Sequence, residues 1–76
     1  MWERELAKKK NLLALNIKRI RLEHGLAQER LALEAGVDRT LVSKIERVVA
    51  NPSLEVLVKL ATALQVSTQA LLSEES

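Results

Sequence analysis

The chain has 76 residues, 47% of them hydrophobic and 29% charged, with a net charge of +2, a single aromatic residue, Trp2, and no cysteine. That length allows one domain with one small core, and the lack of cysteine excludes disulfides and thiolate metal sites. With Leu, Val, Ile and Ala as core material the composition favours helices packed on helices, hence an all-α fold. No apolar run approaches the roughly 20 residues of a membrane span, and the charged N-terminus lacks the apolar stretch of a signal peptide, so the expectation is a soluble, cytoplasmic protein with no membrane partner.

Residues 3 to 24 contain no Gly or Pro, and Leu13, Ile17 and Ile20 recur at helical spacing, which predicts a first helix ended by Gly25. It either runs unbroken from Glu3 or restarts with Asn11 as its cap. AQERLALEAG predicts a short second helix, with Leu31 and Ala35 at i and i+4 and Gly36 closing it. Asp38 suits the N-cap of a third helix whose stripe is Leu41, Val42 and Ile45. VVANPS breaks the pattern, because Pro52 cannot sit inside a helix and disfavours helical geometry at Asn51. Ser53 then caps a fourth helix reaching about Gln65, and Ser67 caps a fifth, STQALL, before the polar tail SEES. Five helices in one domain, residues 1–76, use up the chain.

Two short helices joined by a glycine turn form the shape of a helix-turn-helix. Ala32 is small enough for the two helices to cross closely, Gly36 can take the positive φ of a sharp turn, and Val37, Val42 and Ile45 anchor the second helix. Charge is unevenly spread: residues 1–47 hold eleven Lys or Arg against seven Asp or Glu, and residues 48–76 hold one against three. The basic half is where a polyanion would dock.

The run IKRIRLEHGLAQERLALEAGVDRTLVSKIER, followed by NPSLEVLVKLATALQVSTQALL, resembles the Cro and phage-repressor type of helix-turn-helix regulators, the XRE family, over about residues 12 to 72. Asp-Arg-Thr ahead of Ile-Glu-Arg is most similar to the controller proteins of restriction-modification systems. The resemblance implies a compact five-helix, lambda-repressor-like domain, with the helix-turn-helix at about 28–47 and a dimerisation region at about 54–72. Its implied function is sequence-specific transcriptional regulation by a homodimer on a palindromic operator, without a cofactor or small-molecule ligand.

Carried onto this sequence, Arg39 and Thr40, with Ser43 and Lys44 one turn later, would contact bases. An arginine fork matches guanine O6 and N7, and threonine offers a hydroxyl or a methyl. Gln28, Arg47 and Lys18 would contact the DNA backbone, with Lys8, Lys9, Lys10 and Arg19 as further phosphate candidates. Arg21 and Glu46 would form a structural ion pair joining the first helix to the end of the third. Leu54, Leu57, Val58, Ala61 and Leu64 make one apolar face of the fourth helix, and Val56, Leu60 and Ala63 extend it. That second surface, with Val66, Ala70 and Leu71, is the expected dimer interface. Two positions depart from the family pattern. Ala27 stands where Ser or Thr would cap the second helix, and Val48 stands where a glycine would follow Ile-Glu-Arg, so the loop at 48–51 is expected to take a different path.

An enzyme finds little support: His24 is the only histidine, Ser43 lacks a nucleophile-elbow context, and neither a phosphate loop nor a metal-ligand cluster is present. The competing reading is an antitoxin-type or phage-type repressor of the same fold that also holds a protein partner. Double-stranded DNA and a second copy of the chain are the expected partners, with RNA polymerase a further candidate.

Overall fold

Asn11 does not cap a second start of the first helix: its side-chain amide donates back to the carbonyl of Ala7, 2.9 Å away, inside a single continuous α1 (Trp2–Glu23). The computed structural model describes residues 1–74, so the polar tail expected at 73–76 lies partly outside the described residues. After α1 come α2 (Gln28–Ala35), α3 (Arg39–Glu46), α4 (Leu54–Leu64) and α5 (Thr68–Leu71). α1 is 22 residues long, about 33 Å at 1.5 Å per residue, and sets the longest dimension of the molecule, 36 Å.

Caps explain where the short helices begin. The Asp38 carboxylate accepts from the Thr40 N–H at 2.7 Å, the Ser53 hydroxyl from the Val56 N–H at 3.2 Å, and the Ser67 hydroxyl from the Ala70 N–H at 3.1 Å. α2 starts behind Ala27, whose side chain makes no such bond. Gly36, at φ 72°, turns the chain between α2 and α3 while the Val37 N–H closes on the Ala32 carbonyl.

Val48 overturns the expectation placed on it. It adopts φ 63°, the left-handed turn a glycine would take, despite its β-branched side chain. Two bonds hold it there: the Val48 N–H donates to the Ile45 carbonyl at 3.0 Å and the Val49 N–H to the Lys44 carbonyl at 2.9 Å. Satisfying two end carbonyls of α3 offsets a backbone strain of about 1–3 kcal/mol. Gln65 makes the same turn after α4 at φ 61°.

All five helices contribute to one core, formed by Leu13, Ile17 and Ile20 of α1, Leu31 and Ala32 of α2, Val42 and Ile45 of α3, Leu60, Ala61 and Leu64 of α4, and Leu71 of α5. Two sequence expectations need correcting. Leu60 and Leu71, assigned to a dimer surface, are both 0% exposed and fill the protomer's own core. Leu54 and Val58, assigned to the core face of α4, are instead 71% and 47% exposed. A four-residue α5 can bury only one large side chain firmly, and that side chain is Leu71. On α4, Leu60 and Leu64 are buried beside it and Val56 and Leu57 pack against the same core.

Asn16 completes the fold. It sits on the apolar stripe between Leu13 and Ile20, is buried, and donates to the carbonyls of Leu71 (3.0 Å) and Ser73 (2.9 Å), while its own oxygen accepts from Arg19 (3.2 Å). One amide thereby closes the end of α5 against α1, a contact between positions more than 50 residues apart in sequence.

Candidate nucleic-acid interface

α3 is held at both ends. At its start, Asp38 occupies the cap position and leaves the side chains of Arg39 and Thr40 in solvent. At its end, Glu46 is drawn inward by Arg21 of α1. The arginine Nε donates to Oε2 at 2.7 Å and Nη2 to Oε1 at 3.0 Å, in the two-pronged geometry that makes arginine–carboxylate pairs directional. The two side chains are only 8% and 6% exposed. The remaining arginine nitrogen, Nη1, donates to the Leu26 carbonyl at 2.7 Å, and the Gln28 amide donates to Glu46 Oε1 at 3.0 Å. Four segments meet at Glu46: the end of α1, the turn after it, the first residue of α2 and the last of α3. Among the described residues, no buried side-chain nitrogen or oxygen lacks a partner.

The outer face of α3 carries Arg39, Thr40 and Lys44 exposed and Ser43 half-buried, with Arg47 exposed as the helix leaves. Among the described residues, half of the Lys and Arg side chains are paired with acids: Lys8 with Glu74, Lys9 with Glu5, Arg19 with Glu23, Arg21 with Glu46, Arg30 with Glu34 and Lys59 with Glu55. Those left without an acidic partner are Arg4, Lys10, Lys18, Arg39, Lys44 and Arg47. Half of them belong to α3 or its C-cap, so positive charge is concentrated where a helix could enter a groove.

The other expected contacts are less tightly grouped. Gln28 opens α2 as expected, but its amide is engaged with Glu46, which leaves its second amide proton for an outside acceptor. Lys18 is exposed on α1, and among the described residues no hydrogen bond or ion pair ties it to α2 or α3. Lys10 lies eleven residues before Arg21, about 16 Å along the axis, so the Lys8–Lys10 run belongs to the far end of α1 from the α3 anchor. There the hydrogen bond from Lys8 to Glu74 raises the ammonium above its ordinary value and lowers the carboxyl. His24 is exposed at the end of α1, and among the described residues no group of three His, Cys, Asp or Glu side chains could hold a metal. No described helix is long and apolar enough to cross a membrane.

Sequence reasoning passed over Asn16 and the Leu26 carbonyl. Asn16 carries a detectable signal, a polar residue in register with the buried Leu13, Ile17 and Ile20, whereas a backbone carbonyl carries none.

Comparison with known proteins agrees with this geometry. The helix-turn-helix family model HTH_3 matches residues 17–71. A hypothetical transcription factor of Neisseria meningitidis is 43% identical over 61 residues, covering 80% of this chain and 58% of the relative, so the chain spans under two thirds of that relative's length. The crystal structure of the restriction-modification controller protein C.AhdI from Aeromonas hydrophila superposes with a TM-score of 0.78 at 37% identity, covering 82% of this chain and 94% of that one. The N-terminal DNA-binding domain of SinR from Bacillus subtilis superposes with a TM-score of 0.81 at 38% identity, covering 86% and 96%. A family match over most of the chain, an all-helical fold shared with solved members and an exposed basic third helix lead to one assignment: the chain belongs to the HTH_3, or XRE, family of helix-turn-helix DNA-binding transcriptional regulators.

Proposed function

We propose that the chain acts as a sequence-specific regulator of the restriction-modification controller kind, binding a palindromic operator as a homodimer. The observation that carries this reading is α3 itself: Arg39, Thr40 and Lys44 stand exposed and without acidic partners on a helix locked by Arg21, Gln28 and Glu46. Arg39 and Thr40 enter the major groove first, Ser43 and Lys44 follow one turn later, and Gln28, Arg47 and Lys18 hold phosphates. The controller assignment is supported by the likeness to C.AhdI. The dimer contact is formed along about 54–72, where Val66 and Ala70 are half-buried and Leu54 and Val58 exposed. Leu71 serves this surface only from beneath, as core.

The test is selection of bound sites from a random DNA library, followed by titration of the recovered site against salt. A twofold-symmetric site is expected, with log K falling against log[salt] by about 0.9 per phosphate neutralised. A binding constant indifferent to salt would refute the reading.

A further inference from the structure

The first three turns of α1 project past the core: no residue before Leu13 in this helix is fully buried. Yet Trp2 and Leu6 lie on the same side of the helix as Leu13, Ile17 and Ile20, at the i, i+4 and i+11 spacing that keeps one face in line. Trp2, the only aromatic residue, is 69% exposed. Beside this arm lies a largely apolar groove walled by Leu6, Leu13, Pro52, Leu57 and Leu72, with Lys9 and Lys10 at its rim.

The charges flanking the stripe are ordered. Glu3 and Lys10 lie on one side of it, and Glu5 and Lys9 on the other, acids toward the helix start and bases three turns in. An antiparallel copy of this helix would set Glu3 against the partner's Lys10 and Glu5 against the partner's Lys9. The first pairing centres on the step from Leu6 to Ala7 and the second on Ala7 itself, about 0.75 Å apart along the helix, so a single twofold axis satisfies all four at once. In that register Trp2 falls between the partner's Lys10 and Leu13, at the groove. Lys9 and Glu5 already pair within one chain at 3.4 Å, so association needs only an exchange of partners. Lys8 is held on the other side of the helix by Glu74.

We infer that the occupant of this groove is a second copy of the chain, whose α1 packs antiparallel and seats Trp2 against Leu13, Pro52 and Leu57. The inference rests on the homodimer reading and adds α1 to its interface. The groove wall Leu57 adjoins Val58 and lies one turn from Leu54, so the surface is continuous with the exposed apolar part of α4.

As the lone tryptophan, Trp2 reports directly. The full chain without DNA should show Trp2 emission moving to shorter wavelength as concentration rises, in step with dimer formation by sedimentation. Lys9→Glu with Lys10→Glu should weaken self-association by about tenfold or more, since four exposed pairs become repulsive. Adding Glu3→Lys and Glu5→Lys should restore it, which also shows that the double variant failed by charge and not by misfolding. A dimer whose Trp2 emission stays that of a solvent-exposed indole would overturn the inference and leave the homodimer reading standing. A monomer at every concentration would overturn both. A blue shift that appears only on adding DNA would place the arm on DNA and also refute a second copy as its occupant.

Discussion

Glu46 and Arg39 are both charged members of α3, yet the structure gives them opposite environments. Glu46 accepts from Arg21 and Gln28 in a nearly closed site, whereas Arg39 is exposed and among the described residues has no acidic partner. Removing one partner of a buried pair leaves the other charge uncompensated, so Glu46→Ala and Arg21→Ala should each destabilise folding by about 3–5 kcal/mol, read from urea denaturation. Arg39→Ala should leave the denaturation midpoint unchanged and cost about 1–3 kcal/mol on the operator, concentrated at one base pair in each half-site. Titration over single-base operator variants separates the outcomes: equal weakening on every sequence would make Arg39 a phosphate contact. The pairing of positions 21 and 46 was foreseen from resemblance alone, because no local pattern links residues 25 apart. The third member, Gln28, was expected on a phosphate, and its bond to Glu46 emerges only when α2 is laid across the end of α3.

At the scale of the element, helix ends were the most legible features. Asp38, Ser53 and Ser67 cap where their side chains predict, since capping is chemistry between a side chain and a backbone N–H two or three residues away. Ala27 holds the extended backbone of an N-cap, φ −73° and ψ 161°, without a side chain to do the work. Ala27→Ser should therefore stabilise the protein by about 1 kcal/mol, seen as a higher urea midpoint with an unchanged slope. A lower midpoint would show that the exposed start of α2 cannot use the hydroxyl. Local rules misjudged Val48 for a reason of the same scale. Propensity weighs the strain of a β-branched residue at positive φ, but not the two carbonyls of α3 that the turn satisfies.

At the scale of the whole molecule, the rotation of α4 decides which apolar residues are left for a partner. Leu71→Glu, which on sequence alone would be expected to split a dimer, should unfold the protomer, because it places a carboxylate where no solvent reaches. Val58→Glu should keep the melting temperature and yield monomers in sedimentation. A Val58→Glu protein that still dimerises with full strength would move the interface off α4. The contrast separates core from interface by two measurements on two single variants.

The sequence by itself determined the class of the molecule: five helices, the caps of three of them, the glycine turn between α2 and α3, and a third helix rich in charged and polar groups. These follow from short-range periodicity and from side chains acting on neighbouring backbone, which are visible along a single chain. Tertiary structure alone decided which face of α4 is buried, where Leu60 and Leu71 point, how Asn16 ties α5 to α1 and how far the arm of α1 extends beyond the core. Each of those depends on how helices rotate about their axes when packed. On a helix that is apolar nearly all round, as α4 is, periodicity cannot choose the rotation; it is chosen by the neighbours that supply the matching surface.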